Sequence, residues 1–235
     1  MTETVLELKQ VVYQYPQGAF VLRIDHLALN AAEITLVRGD NGSGKSTLAK
    51  LMAGIYRPTQ GQALVAGRPT ETLSLGQIGQ RIGYLWQKPE QQLFAHNVLE
   101  ELLFVNRLKE PAPSRERREA AAQKAEEAAR YWLRLFEIEH LAQRNSFFLS
   151  RGEKQRVALA AILHQGAGYL ILDEPTTGLD PERKGILAGV LTQLKQEKNL
   201  GMAIISHDQN FMAALADRTI TLAKGEIAHA REFPH

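Results

Sequence analysis

The sequence predicts an α/β fold with a parallel-sheet core, an N-terminal antiparallel β region and an inserted helical lobe. Strand and helix patterns alternate on both sides of a helical block at about 97–143, and this alternation is typical of parallel sheets joined by helices. The length of 235 residues suits one large α/β domain, with or without a subdomain. We expect a single domain over 1–235, with its core in 1–88 and 150–235 and its helical subdomain in 89–149.

The N-terminal part predicts strands and then a strand–loop–helix unit. Apolar residues between 4 and 30 predict strands separated by a turn at Pro16–Gly18. Ile34–Val37 is a short strand of the buried type, and a glycine-rich segment joins it to a helical pattern over 48–55. Another strand is predicted at Ile82–Trp86.

The remaining elements alternate after the helical block, which Pro111 and Pro113 divide in two. After this block we expect helices at 152–165, 181–197 and 208–216. We expect strands at 169–172, 202–205, 218–222 and 226–229.

The composition is that of an ordinary globular protein, with 44% apolar and 23% charged residues. The formal net charge is only +2, so we expect no nucleic-acid partner. The sequence contains no cysteine, which excludes disulfides, thiolate metal sites and cysteine nucleophiles and fits a reducing compartment. The most apolar stretch, Val157–Leu172, is too short and too interrupted to span a bilayer, and the N-terminus lacks a signal-peptide pattern.

The glycine-rich segment matches the pattern G-x-x-x-x-G-K-[ST] of phosphate-binding loops. Glycines let successive backbone N–H groups converge on phosphate oxygens, and the following helix adds the positive end of its dipole. Lys45 is expected to reach the β- and γ-phosphates of ATP, and the Ser46 hydroxyl to ligate Mg²⁺. The residues assigned to ATP binding in this segment are Gly39, Asp40, Asn41, Gly42, Ser43, Gly44, Lys45, Ser46 and Thr47.

The apolar strand at 169–172 runs directly into two carboxylates, Asp173 and Glu174. Acids at the carboxyl end of a buried parallel strand point into the crevice where such sheets bind ligands. Asp173 is expected to hold Mg²⁺ through water, and Glu174 to orient or deprotonate the attacking water. Such a pair alone is often only a helix cap, but the phosphate loop upstream favours the catalytic interpretation.

Two other strand ends carry weaker signals. His207 follows the strand at 202–205, and Gln87 follows Ile82–Trp86. A single histidine at a strand end is more often a structural hydrogen-bonding group than a catalytic one. Four elements follow one another along the chain: the phosphate loop, Gln87, the pair Asp173–Glu174, and His207. This order favours a functional role for Gln87 and His207.

That order, together with the octapeptide at 149–156, resembles the nucleotide-binding subunits of ABC transporters over essentially the whole chain. The octapeptide corresponds to the diagnostic signature of that family. The resemblance implies the ABC ATPase fold, and it implies that the signature contacts ATP held by a partner subunit, so that two chains enclose two ATP molecules. The signature usually has glycine in place of Arg151 and often glutamine in place of Glu153, so the charge near the partner's ATP is altered. The residues concerned are Ser150, Arg151, Gly152 and Glu153.

The same resemblance implies roles for residues elsewhere in the chain. Tyr15 would stack on adenine, although Tyr13 is two residues earlier on the same strand face and either could belong to the core. Gln87 would sense Mg²⁺ and the attacking water. His207 would contact the γ-phosphate, and Asp180 would cross the dimer interface.

A finer resemblance lies in Gln87–Phe94 and the following Val98–Glu101, which are similar to the energy-coupling-factor group of vitamin and transition-metal importers. It implies an ATP-hydrolysing motor at the cytoplasmic face of the cell membrane, with ATP and Mg²⁺ as cofactors. Its partners would be a second ATP-binding subunit, identical or paralogous, and a transmembrane subunit. Leu93 or Phe94 would line an apolar groove that accepts a short helix of that transmembrane subunit.

Two alternatives stay open. A soluble ABC ATPase acting in translation or DNA metabolism usually has two cassettes or a long coiled-coil insertion, and neither is present here. A phosphate-loop kinase or GTPase is disfavoured by the octapeptide and by the absence of an Asn-Lys-x-Asp motif.

Overall fold

The computed structural model describes residues 3–18, 20–107, 114–208, 211 and 215–232. The chain divides into two compact units. The first comprises Met1–Gln87, Ala167–Thr176 and Leu187–His235, and the second comprises Lys88–Gly166 and Thr177–Ile186.

The elements of the described residues follow the predicted order. The strands are β1 (Thr4–Gln14), β2 (Val21–Asn30), β3 (Ile34–Gly39), β4 (Gln60–Val65), β5 (Arg68–Pro69), β6 (Ile82–Leu85), β7 (Tyr169–Asp173), β8 (Gly201–Ile205), β9 (Arg218–Ala223) and β10 (Glu226–Glu232). The α-helices are α1 (Lys45–Met52), α2 (Leu75–Gly79), α3 (Val98–Arg107), α4 (Arg115–Leu135), α5 (Arg151–Gln165) and α6 (Pro181–Lys198). Short 3₁₀ turns lie at Thr70–Thr72, Pro89–Gln91, Glu139–Leu141 and Ser146–Phe148.

The first unit contains two sheets. One is antiparallel, with the strand order β2-β1-β4-β5. The other has the order β10-β9-β3-β8-β7-β6, in which β9, β3, β8, β7 and β6 are parallel and β10 pairs antiparallel at the edge. The predicted parallel core and N-terminal antiparallel region are therefore confirmed. The strands β6, β7 and β8 are buried along their whole length, as their continuous apolar sequences predict.

The main core of the first unit joins both sheets to α1. Leu22 of the antiparallel sheet and Ile171 of the parallel sheet belong to one buried cluster with Leu48 and Leu51 of α1. Both leucines of the helix are fully buried, so truncating either to alanine is expected to cost about 2–5 kcal/mol of stability. This packing fixes the start of α1, and therefore the loop before it, against the ends of the strands.

The second unit is helical, and α5 belongs to it. The helices α3, α4 and α5 pack against one another in pairs. The Arg156 guanidinium of α5 donates a hydrogen bond of 3.0 Å to the carbonyl of Phe136, which follows α4. The helical unit contains Lys88–Gly166 and Thr177–Ile186, and the helical subdomain expected at 89–149 stays a prediction. The helix α5 is part of this unit because it packs on α3 and α4.

Some elements differ from the expectation. The strands β4 and β5 and the short helix α2 were not predicted. The division of the helical block at Pro111 and Pro113 and most of the expected helix at 208–216 lie outside the described residues. Across the described part of the chain, no helix combines the length and the apolarity that crossing a bilayer requires.

Candidate nucleotide site

The predicted phosphate loop connects the end of β3 to the start of α1. Gly39 has φ 148°, and a Cβ atom there would lie 2.3 Å from the carbonyl oxygen of Leu222, so only glycine fits. Gly44 caps α1 with φ 107° and supplies no side-chain hydrogen bond. No capping side chain therefore accepts a hydrogen bond from the backbone N–H groups in the first turn of α1. These N–H groups can bind an anion instead.

Lys45 is folded into this loop. Its side chain is buried, and Nζ donates hydrogen bonds of 2.7 Å to the carbonyl of Gly39 and 2.9 Å to that of Asp40. Burial lowers the pKa of Lys45, while the nearby carboxylates of Glu174 and Asp173 act in the opposite direction. The ammonium group is thus held where a phosphate oxygen can replace a carbonyl as its acceptor.

Ser46 and Asp173 meet beside Lys45. The Ser46 hydroxyl is hydrogen-bonded to the Asp173 carboxylate, and burial raises the pKa of Asp173. Oδ1 of Asp173 is buried and has no hydrogen-bond partner among the described residues. A hydroxyl and an unused carboxylate oxygen are the kind of hard oxygen ligands that Mg²⁺ binds. The residues present therefore fit Mg²⁺, and Gln87 lines the same pocket.

Glu174 occupies an unusual backbone position after β7. Its φ is 54°, a left-handed conformation that costs a non-glycine residue on the order of 1–3 kcal/mol. A hydrogen bond of 2.8 Å from its N–H to the carbonyl of Ile205 holds it there. Nε2 of His207 lies 3.4 Å from Oε1 of Glu174. Neighbouring parallel strands β7 and β8 bring these two residues together, as their positions at strand ends predict.

These groups share one pocket of about 400 Å³ in the first unit. Its lining consists of Tyr15, Phe20, Asn41, Gly42, Gly44, Lys45, Ser46, Thr47, Gln87, Asp173, Glu174 and His207. All of these except Phe20 are residues that the sequence analysis singles out. Gly39, Asp40 and Ser43 belong to the loop but do not line the pocket.

Tyr13 of β1 and Tyr15, which follows this strand, have different environments. Tyr13 is 9% exposed and stacks on Tyr56, with ring centroids 5.0 Å apart. Tyr15 lies just after β1, lines the pocket, and stands nearly perpendicular to both rings. Its hydroxyl and that of Thr47 are 2.9 Å apart and hydrogen-bonded. Tyr13 is thus a core residue, and Tyr15 is the tyrosine of the pair that faces the pocket.

Phe20 is the lining residue that no sequence pattern predicts. It lies just before β2, and its ring ends 2.8 Å from the position that a Cβ atom on Gly44 would take. The available signal was an aromatic residue two positions after the Pro16–Gly18 turn and five positions beyond Tyr15.

The predicted signature residues lie in the second unit, at the start of α5. Ser150 caps the helix, because its Oγ accepts the N–H of Glu153 at 3.3 Å. The Glu153 carboxylate accepts the N–H of Ser150 in return at 2.7 Å. Hydrogen bonds to the carboxylate from the Ser150 side chain and then from the Ser150 backbone lower the pKa of Glu153. Glu153 therefore completes a capping box. Arg151 is exposed at the first helical position, and Gly152 follows it.

Asp180 also has a local structural role in the second unit. Its carboxylate accepts the N–H of Arg183 at 3.0 Å and forms an ion pair with the Arg183 side chain, at the start of α6. The Asp180 side chain is 44% exposed and the Arg183 side chain is 38% exposed. The predicted contacts of Asp180 and of the signature with a partner chain stay predictions, because each concerns a second molecule.

The fold and the pocket define a phosphate-loop nucleoside triphosphatase with a helical unit inserted into its α/β core. Residues 22–177, more than half of the chain, match the family described as ABC transporter. The chain belongs to this family, and it is an ATPase of the ATP-binding cassette type.

Individual relatives agree with this assignment. The energy-coupling factor transporter ATP-binding protein EcfA2 of Ligilactobacillus salivarius is 32% identical over 94% of this chain and 77% of its own length. The structure of cbiO1 from Clostridium perfringens, part of the ABC transporter complex cbiONQ, has a TM-score of 0.80 and 28% identity, covering 98% of this chain and 89% of that one. The cassette MJ0796, solved as a dimer in a post-hydrolysis state with ADP and Pi, has a TM-score of 0.83 and 25% identity, covering 98% and 99%.

Proposed function

We propose that this chain is the ATP-hydrolysing motor of an energy-coupling-factor-type importer of a vitamin or transition-metal ion. The observation that supports ATP hydrolysis is that Lys45, Asp173 and Glu174 line the same pocket. The importer subtype is supported by the segment Gln87–Phe94 and by the similarity to EcfA2 and cbiO1. The protein would act at the cytoplasmic face of the membrane.

In this proposal the loop before α1 binds the triphosphate. The N–H groups at the start of α1 and the ammonium of Lys45 would contact the β- and γ-phosphates, with Nζ exchanging its loop carbonyls for phosphate oxygens. Ser46, Asp173 and Gln87 would hold Mg²⁺, which when bound neutralises charge on the phosphate oxygens. Tyr15, fixed by its hydrogen bond to Thr47, would contact the base.

Glu174 and His207 would act on the water that attacks the γ-phosphate. Glu174 lies at the pocket with its carboxylate 3.4 Å from Nε2 of His207, so it can accept a proton from a water placed at the phosphate. His207 is half exposed and would contact the γ-phosphate on the same side. Glu174 has a strained backbone conformation, and such conformations cluster at active sites.

The site would be completed by a second cassette. We propose that Ser150 to Glu153 and Asp180 contact the ATP bound by the partner, so that ATP binding closes a dimer and hydrolysis reopens it. The dimer of MJ0796 supports this arrangement for the family fold. Arg151 would add a positive charge near the partner's phosphates.

The transmembrane subunit would be engaged through Phe94. Phe94 is 54% exposed and meets Phe104 edge to face, with ring centroids 4.4 Å apart, whereas the neighbouring Leu93 is buried. Of the two candidates for an exposed anchor, Phe94 is therefore the one available to a partner helix.

The test is to read the neighbouring genes for a small membrane protein and a second ATPase, and to co-express their products with this chain. The proposal expects a stable complex whose ATP-dependent uptake of a vitamin or a metal ion into vesicles is abolished by Lys45→Ala. A chain that hydrolyses ATP but never joins a membrane protein would favour the soluble ABC ATPase instead.

A further inference from the structure

Two buried hydroxyl groups join the chain segments that carry Glu174 and His207. Thr176 lies two residues after Glu174, and Ser206 lies directly before His207. The two hydroxyl oxygens are 3.5 Å apart and hydrogen-bonded, and the residues are only 5% and 4% exposed. Neither side chain belongs to the lining of the nucleotide pocket, so a role of this pair in the reaction has to act through its neighbours.

Ser206 also holds the backbone on the other side of His207. Its Oγ accepts a hydrogen bond of 3.1 Å from the N–H of Asp208, which leaves the Ser206 hydroxyl proton available for Thr176. A bond between a serine oxygen and the N–H two residues later stabilises a turn. His207 is the residue that this turn encloses.

The hydroxyl pair continues the contact between β7 and β8 beyond the ends of these strands. Asp173 is the register partner of Ile205, and the N–H of Glu174 donates a hydrogen bond of 2.8 Å to the carbonyl of Ile205. Thr176 and Ser206 then connect the following residues of the two segments through their side chains. The segment with the acid and the segment with the histidine are therefore linked by a backbone bond and by a side-chain bond.

Resting on the function proposed above, we infer that Ser206 and Thr176 are positioning residues, which hold the His207 imidazole where Glu174 and the γ-phosphate need it. The His207 side chain is 55% exposed, so packing around the ring fixes little of its position. Its place 3.4 Å from Glu174 depends instead on the backbone of residues 206–208. A misplacement of about 1 Å at a reacting group can reduce a rate by about 10²-fold, and the two bonds of Ser206 oppose such a displacement.

The experiment measures ATP turnover and ATP affinity of the full chain with Ser206→Ala, which removes both hydrogen bonds of the serine oxygen. We expect single-turnover hydrolysis to slow by about tenfold to a hundredfold, while the affinity for ATP in calorimetry stays the same. Ser206→Thr retains the hydroxyl and should keep most of the rate. The matched control is Thr35→Val, which removes a fully buried hydroxyl that donates a bond of 2.8 Å to Glu33 in the same sheet as β7 and β8. Turnover should be unchanged in this control.

A double-mutant cycle with His207→Ala separates positioning from general support of the fold. Ser206→Ala should reduce the remaining rate of His207→Ala by less than about twofold, because the group that it positions is already absent. A full further loss in that background would contradict the inference, and so would wild-type turnover in a folded Ser206→Ala chain. Both results would leave the ATPase assignment intact.

Thr176→Val tests the pair from its other side. It should also slow hydrolysis, whereas Thr176→Ser, which retains the hydroxyl, should not. Unfolding of both Ser206→Ala and Thr176→Val, seen in thermal melts, would make the pair a part of the core and end the inference. Failure of the unaltered chain to hydrolyse ATP would refute the proposed function itself, and the inference with it.

Discussion

Nε2 of His207 and Oε1 of Glu174 are 3.4 Å apart, although 33 positions separate the two residues in the sequence. They meet because β7 and β8 are adjacent parallel strands whose carboxyl ends lie at the same edge of the sheet. This proximity places a proton acceptor and a hydrogen-bonding imidazole at one side of the predicted γ-phosphate position.

Glu174→Gln tests the role of the carboxylate, because the amide keeps its shape but cannot accept a proton. We expect turnover to fall by about 10²–10⁴-fold, or ~3–5 kcal/mol in the barrier. ATP affinity should survive, so the variant should accumulate as an ATP-bound dimer in size-exclusion chromatography. Wild-type turnover in a steady-state phosphate-release assay would contradict the assignment of Glu174 as the proton acceptor.

Lys45→Ala removes the charge that lies inside the phosphate loop. Charge-assisted hydrogen bonds contribute about 1.5–3 kcal/mol, so ATP should bind about tenfold more weakly or worse. Calorimetry measures this affinity directly, and Lys124→Ala on the exposed face of α4 is the matched control. Unchanged ATP affinity in Lys45→Ala would mean that the loop does not hold the phosphates as argued.

Ser150→Asp tests whether the signature acts on the partner's ATP. Aspartate caps a helix as well as serine does, so α5 should stay folded, but its negative charge would repel a phosphate. Mixing this variant with Lys45→Ala chains creates mixed dimers with one site damaged twice and one site intact.

Recovery of ATPase activity on mixing is the expected result, measured across a range of mixing ratios. Each variant alone should be inactive. Activity that never exceeds the sum of the separate variants would contradict contact between the signature and the partner's nucleotide.

Phe94→Ala should weaken assembly with the membrane subunit while leaving ATP binding unchanged. An exposed aromatic anchor of this kind commonly contributes ~2 kcal/mol or more to a complex. Co-purification with the membrane component measures the loss, and Tyr131→Ala, a similarly exposed aromatic, is the control. Normal assembly of the Phe94 variant would remove Phe94 from the contact.

Glu101 should make stability depend on pH. Its buried carboxylate accepts the N–H groups of Phe94 at 3.0 Å and Ala95 at 2.8 Å, and burial raises its pKa above the ordinary 4.5. The folded chain thus holds this proton more tightly than the unfolded chain. The free energy of unfolding should therefore fall as pH rises from about 4.5 until the folded-state pKa is passed.

Glu101→Gln should abolish this dependence, because the amide oxygen can still accept both bonds but carries no charge. The free energy of unfolding should fall more steeply with pH in the wild type than in the variant, by at most about 1.4 kcal/mol per pH unit within that interval. Urea unfolding at a series of pH values measures it, with the exposed Glu116→Gln as control. Parallel pH profiles for the wild type and the Glu101 variant would show that the burial of Glu101 has no such effect.

The sequence predicts those parts of the site whose functional residues are close together in the chain and lie next to a strand or helix that the sequence also predicts. The loop that ends at Lys45 and the pair after β7 carry their chemistry within a few adjacent residues. Phe20 could not be found this way, because its contact with Gly44 is made by the packing of the antiparallel sheet on α1. Its neighbours in sequence give no indication of that contact.

The missed or misplaced elements have similar causes. The strand β4 begins with Gln60, Gly61 and Gln62 and has only three apolar residues, so its alternation is too short to identify. In α5 every residue from Val157 to Leu163 is apolar and buried, so the periodicity of the sequence does not indicate which elements bury this helix. Its inclusion in the helical unit follows from tertiary contacts with α3 and α4.

The contact between Gly152 and Gly178 ties two segments of the second unit together. A Cβ atom on Gly152 would lie 2.7 Å from the carbonyl oxygen of Gly178, so the start of α5 and the loop before α6 touch backbone to backbone. No flexible side chain separates them, and neither backbone can shift toward the other. A side chain at position 152 would therefore force the start of α5 away from the loop before α6, and it would separate the segment that carries Ser150 from the segment that carries Asp180.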